Sequence, residues 1–188
     1  MDAPKPAKSA DELHGVLSTF LKSVAEDVAV CNRYLMEEKD VAFWRRTKYR
    51  CVFATIEALA SILKQSAAAL AEGTPGALPP GHLLLLRDVY LAVDETGSPV
   101  ERSTKAVFLS NVRFALKTYA SVTRCPVDLT FDKGWDALRA SVKVRDRISH
   151  PKRESDTIIS AEDMASLDAA WSWFAVQLGT VMQGNRYG

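Results

Sequence analysis

The sequence predicts an all-α fold, an antiparallel helical bundle of about six helices. Apolar residues recur at three- and four-residue spacing along nearly the whole chain, the period of helices that bury one face. Three expected helix starts carry a serine followed three residues later by an acid, the pattern in which a hydroxyl caps an orphan helix amide and the acid answers it. The links between periodic stretches, GTPGALPP at 73–80, DETGSP at 94–99, CPVDLTF at 125–131 and HPKRESDT at 150–157, are short and rich in turn residues, which favours antiparallel neighbours.

The first helix is expected over residues 10–37, opened by Ser9 with Glu12. The second, 40–72, is apolar on most of its circumference, as a central element would be, with Trp44, Val52, Phe53, Ile56, Leu59 and Leu63 spread around it. Its Arg46, Arg50, Glu57 and Lys64 fall along one narrow line, either a solvent or internal ion-pair strip or a source of countercharge for the fifth helix. A third helix is expected over 82–93 and a fourth over 99–123, the latter opened by Ser98 with Glu101 and by Pro99 at the first helical position. The fifth spans 132–149. The sixth, 160–183, opens on Ser160 with Asp163 and carries Met164, Leu167, Trp171, Phe174, Leu178 and Val181 as one apolar stripe. β-alternation is confined to the short stretch 156–159.

A chain of 188 residues fits one helical domain, 9–188, behind a flexible tail at 1–8. The net charge of +1 argues against a broad nucleic-acid or acidic-membrane surface, so any such contact must be local. Cys31, Cys51 and Cys125 are odd in number, far apart and set in or beside apolar helical patterns, which reads as reduced core thiols. The N-terminal stretch has no apolar signal core and no segment reaches membrane-span length, so a cytoplasmic protein is expected. Gly-rich phosphate loops, HExxH, GxSxG, paired-cysteine zinc spacings and EF-hand loops are all missing from the sequence, and neither cofactor nor metal is indicated. His14 and His82 have no ligand-spaced neighbours.

The stretch RDRISHPKRE, 145–154, carries the functional signal. At about 100° per residue, Asp136, Arg139, Lys143, Asp146 and Arg147 gather on one water-facing arc of the fifth helix. Trp135, Ala137, Leu138, Val142, Val144 and Ile148 hold the opposite half, and Arg145 projects near its middle beside Ser141 and Ser149. A guanidinium on that side is costly to desolvate unless a carboxylate such as Glu57, or an anionic ligand, compensates it. Pro151 restricts His150 to extended backbone and ends the helix, which puts an imidazole, able to give or take a proton at neutral pH, at the helix C-terminus. Lys143, Arg145, Arg147, His150, Lys152 and Arg153 form a local basic run interrupted only by Asp146, which is either a solvated helix end or a nucleic-acid contact.

RDRISHP at the end of a helix resembles the Arg-x(4–6)-His signature of HEPN domains. The likeness extends to layout, with FWRRTKYRCVFATIEALASILKQ followed later by GWDALRASVKVRDRISHPKR, over roughly residues 40–183. It implies a compact helical bundle that forms a homodimer and brings two motif copies into one cleft. Active members are metal-independent endoribonucleases, often in toxin–antitoxin or phage-defence systems, and an antitoxin or nucleotidyltransferase is an expected partner; other members have no known catalysis. Carried onto this chain, the resemblance makes Arg145 the phosphate-binding and transition-state-stabilising group and His150 the proton-transfer group. Asp146, Arg147, Lys152 and Arg153 become candidates for contacting the RNA. The chemistry would be attack of a 2′-hydroxyl on the adjacent phosphorus with a 2′,3′-cyclic phosphate as product. The other reading of the same residues is a noncatalytic helical module that dimerises or binds a nucleotide or RNA.

Overall fold

The computed structural model describes residues 10–184 apart from 39, 75, 105 and 126–128; the expected N-terminal tail and the Ser9 cap lie outside the described residues. The fold is mostly helical: α1 (Ala10–Met36), α2 (Val41–Glu72), α3 (His82–Leu86), α4 (Phe108–Val122), α5 (Lys133–Ser149) and α6 (Ala161–Gly184), with one two-stranded sheet, β1 (Val89–Val93) and β2 (Pro99–Ser103). The chain divides into two compact units, one of residues 1–17, 59–127 and 181–188, the other of 18–58 and 128–180.

In the first unit the expected helix over 82–93 stops at Leu86, and the segment expected to begin a helix at 99 is a strand. The two strands form an antiparallel hairpin with Val89 opposite Ser103 and Val93 opposite Pro99. The turn between the strands accounts for the difference. The Asp94 carboxylate accepts hydrogen bonds from the Thr96 amide, the Thr96 hydroxyl and the Ser98 amide, so Ser98 belongs to a turn rather than to a helix cap. The Thr96 hydroxyl, then the Ser98 and Thr96 amides, hold the Asp94 carboxyl below the usual carboxylate range. Glu101 pairs across the ladder with Leu91, and Pro99 takes the first position of a strand, where no ladder amide is lost. Asp88, with a left-handed φ of 55°, breaks the chain direction between α3 and β1. Its carboxylate takes the ammonium of Lys64, which is fully buried and is the inward member of the polar line read along the second helix.

α2 does reach membrane-span length and hydropathy, contrary to expectation, but 61% of its most apolar window is buried within the fold. Its length and apolarity are those of a core helix. Tyr49, Val52, Phe53 and Ile56 along it are buried.

In the second unit, α5 starts where the Asp132 carboxylate accepts from the Gly134 amide at 3.0 Å, an N-cap contact. It buries Leu138, Ser141, Val144 and Ile148 on one face. Phe131, Trp135 and Trp173 cluster at this end with ring centroids 5.1–5.8 Å apart, and the Trp173 indole donates to the Thr130 carbonyl at 2.9 Å. The segment 156–159 is not a strand, since Glu154–Thr157 forms a 3₁₀ turn. The part of α6 in this unit buries Leu167, Phe174 and Leu178 as its stripe requires, and Ala170, Trp173 and Gln177 widen the face.

Gly134 has no room for a side chain, because a Cβ there would run into Cβ and Cγ of Trp173. Gly134→Ala should therefore lower stability by about 1–3 kcal/mol, the range for overpacked sites, in urea denaturation; unchanged stability would mean that α5 and α6 are free to separate at this point.

Candidate functional site

The motif region is built by three helices of the second unit. Tyr49, Phe53 and Glu57 are spaced four apart on α2 and share a face. The Tyr49 and Phe53 rings stack with centroids 6.2 Å apart, and the Arg145 guanidinium of α5 lies 5.0 Å over the Phe53 ring. Such a cation–π contact is worth about 1 kcal/mol. The guanidinium is held at its edges as well: Nη1 donates to Glu57 Oε1 at 3.0 Å, while Nε and Nη2 both reach Asp146 Oδ1, at 3.0 and 2.8 Å. The Arg145 side chain is 23% exposed, whereas Glu57 and Asp146 are more than half exposed, so each ion pair adds only about 0–1 kcal/mol and serves orientation more than stability. The charge read on the apolar half of the helix is thus half-buried, and it has the carboxylate partner that its placement asked for.

His150 caps the C-terminus of α5. Its amide donates to the Asp146 carbonyl at 3.0 Å, and its side chain is exposed. It lies five positions after Arg145, about 140° around the axis and about 7.5 Å along it in helical geometry. Beyond it, Asp156 Oδ2 accepts from the Lys152 and Arg153 amides, which fixes the backbone of the connection while both basic side chains remain exposed.

Arg147 departs from the expected water-facing arc. It is half-buried, donating to the Ile158 carbonyl at 2.9 Å and to Asp163 Oδ2 at 3.1 Å. These contacts engage it at the start of α6, where Arg45 also donates to the Ile159 carbonyl and the Tyr49 hydroxyl to the Asp163 carbonyl. Burial pushes the Tyr49 phenol up to about 12, against the lowering effect of the Ser141 hydroxyl beside it. The Ser160–Asp163 capping box forms as the sequence indicates: the Asp163 amide donates to Ser160 Oγ at 3.0 Å and the Ser160 amide to Asp163 Oδ2 at 2.9 Å.

Phe53 and Tyr49 were not legible as site residues, although their four-residue spacing from Glu57 would have placed them on its face. Among the described residues no three His, Cys, Asp or Glu side chains converge to hold a metal. The three cysteines are free thiols, and burial, then the neighbouring Cys51, pushes Cys31 up to about 11. No family model matches the sequence, and comparison with curated proteins and with solved structures gives no match.

Burial opposes charge on Asp163, but the Ser160 amide and hydroxyl, then Arg147, outweigh it and hold the carboxyl below its ordinary range. A carboxyl depressed on folding contributes stability that is fully present above its unfolded pKa, near 4, and is lost as pH falls through the folded value. Asp163→Asn, which leaves the Ser160 cap in place but removes the charge that Arg147 and the Ser160 amide meet, should cost about 1 kcal/mol at pH 7, the difference between hydrogen bonds to a charged and to a neutral acceptor, and less at about pH 3. Urea denaturation at both pH values reads the difference, and an equal gap at the two would contradict the assignment.

Proposed function

We propose that the chain is a HEPN-type, metal-independent endoribonuclease that acts as a homodimer, with Arg145 binding and stabilising the scissile phosphate and His150 transferring the proton. The observation that carries this reading is the clamp on Arg145. A guanidinium seated on Phe53 and braced by Glu57 and Asp146 is oriented before any substrate arrives, and the helix that holds it ends in an exposed imidazole. Preorganised charge of this kind needs no reorganisation as negative charge grows on the phosphorane oxygens. Asp146 then acts as a positioning residue. Lys152 and Arg153 supply exposed positive charge beside the histidine for the RNA backbone, and Arg147 holds the connection from below. A second copy brings its own Arg145 and His150 to the same cleft. A toxin–antitoxin or phage-defence setting, with an antitoxin or nucleotidyltransferase as partner, suits such a nuclease.

One observation favours the noncatalytic alternative. Glu57 and Asp146 together carry more negative charge than Arg145 carries positive, so a phosphate must displace at least one of them. On that reading the clamp fixes a dimer or a nucleotide rather than a transition state.

Cleavage of single-stranded RNA in chelator separates the two. Wild type should cut, and Arg145→Ala and His150→Ala should each lose at least about a hundredfold in turnover, the low end for general acid–base groups, with the helical circular dichroism unchanged. Equal activity in all three, or no cleavage over a broad set of RNAs, removes the nuclease. Loss of dimer or of nucleotide affinity in Arg145→Ala without cleavage by wild type establishes the alternative.

A further inference from the structure

The polar line read along α2 in the sequence divides in the structure. Glu57 is taken by Arg145 and Lys64 by Asp88, whereas Arg46 and Arg50 have no ion-pair or hydrogen-bond partner among the described residues. Phe43 extends the line by one helical turn: at about 100° per residue, Phe43, Arg46, Arg50 and Glu57 fall within an arc of about 60°. Their burial agrees, since Phe43, Arg50, Ala54 and Glu57 are exposed and Arg46 is half-buried. Phe43 is 50% exposed, yet its ring is held by a perpendicular contact with Trp44, centroids 5.1 Å apart, and Trp44 is itself stacked on Tyr34 at 4.3 Å and 2° from parallel. All of these groups except Lys64 and Asp88 lie in the second unit. An exposed phenyl, followed turn by turn by two unpaired guanidiniums, thus leads along one face of α2 to the Arg145 clamp. The exposed acids Glu37, Glu38 and Asp40 precede Phe43 at the α1–α2 link and mark the far end of the basic stretch.

We propose that this face of α2 is a track for single-stranded RNA, on which Phe43 stacks a base while Arg46 and Arg50 bind backbone phosphates of nucleotides next to the one held by Arg145. The proposal rests on the reading of Arg145 as a phosphate site. Arg46 and Arg50 are about 6 Å apart along the helix axis, a step that successive phosphates of an extended strand can match. The face of a phenyl ring takes any base without hydrogen-bond readout, so the substrate is an unpaired stretch of several nucleotides with little sequence preference at the stacked position. A paired stem would keep its bases from Phe43.

Fluorescence anisotropy of the full chain with 5′-labelled 2′-O-methyl hexauridylate, whose blocked 2′-oxygens prevent cleavage, tests this. Saturable binding is expected. Arg46→Gln/Arg50→Gln should weaken it about tenfold, as two exposed ion pairs do, and lower the slope of log affinity against log salt concentration by about 1.4, the value for two phosphate contacts of a single strand. Phe43→Ala should weaken it about tenfold with the slope unchanged, as loss of one stacked base does, and Phe43→Tyr should restore it, with helical circular dichroism the same in all. Absence of saturable binding, wild-type affinity and slope in the double variant, no loss in Phe43→Ala, or equal displacement of the RNA by decaglutamate would overturn the proposal. The track and the nuclease fail separately. Cleavage of single-stranded RNA with kcat and KM unchanged in the double variant and in Phe43→Ala removes the track and leaves the nuclease; binding with these dependences but without cleavage removes the nuclease and leaves the track.

Discussion

The arrangement on which the second unit turns is a single positive charge placed on the inner side of α5. Arg145 sits at a position that helical periodicity assigns to the apolar half, and it is tolerated there because its flat face lies on Phe53 and its edges on Glu57 and Asp146. This fixes the rotation of α5 about its axis. With Arg145 against α2, Leu138, Ser141, Val144 and Ile148 must turn inward, and the helix must deliver His150 at its end with the side chain in solvent. The proposed chemistry inherits its geometry from that rotation, since the two groups are attached to one rigid element.

Both ends of α5 are held by other means. At the start, Gly134 lets the Trp173 side chain approach the helix backbone, and the Phe131–Trp135–Trp173 cluster supplies apolar burial. At the end, Arg147 reaches the Ile158 carbonyl and Asp163, while Asp156 gathers the Lys152 and Arg153 amides. Donors converge on the start of α6 from α2 as well, through Arg45 and Tyr49. The connection that follows the histidine is therefore ordered by specific hydrogen bonds, although it has almost no regular structure of its own. An ordered connection lets a site near a helix end keep a defined shape.

The helical class, the amphipathic reading of α5 with its odd arginine, and the Ser160–Asp163 box could be read from the chain, because each depends on residues close in sequence or on one helix period; Glu57 was readable only as one candidate countercharge, since its pairing with Arg145 spans 88 positions. The hairpin could not be. Ser98 and Glu101 satisfy a capping-box spacing, and only the Asp94 side chain, collecting the Thr96 and Ser98 amides, turns that stretch into a reversal between strands. The local pattern was compatible with both outcomes. Arg147 differs for another reason: the wheel puts it toward water, but the carbonyl and the carboxylate that claim it come from Ile158 and Asp163, beyond the helix. Phe53 was visible as a core residue of α2, whereas its role beneath a guanidinium depends on a contact across 92 positions of sequence, from residue 53 to residue 145.

The proposed pairing of Arg145 with His150 has one chemical consequence that a binding module cannot imitate. If a 2′-hydroxyl is the nucleophile, no water or metal-bound hydroxide enters the bond-breaking step, and the fragments carry the mark of that route. Mass spectrometry of RNA incubated with the protein in chelator should find 2′,3′-cyclic phosphate on the upstream fragment and a 5′-hydroxyl on the downstream one. Fragments ending in 3′-hydroxyl and 5′-phosphate, or RNA left intact, would contradict it.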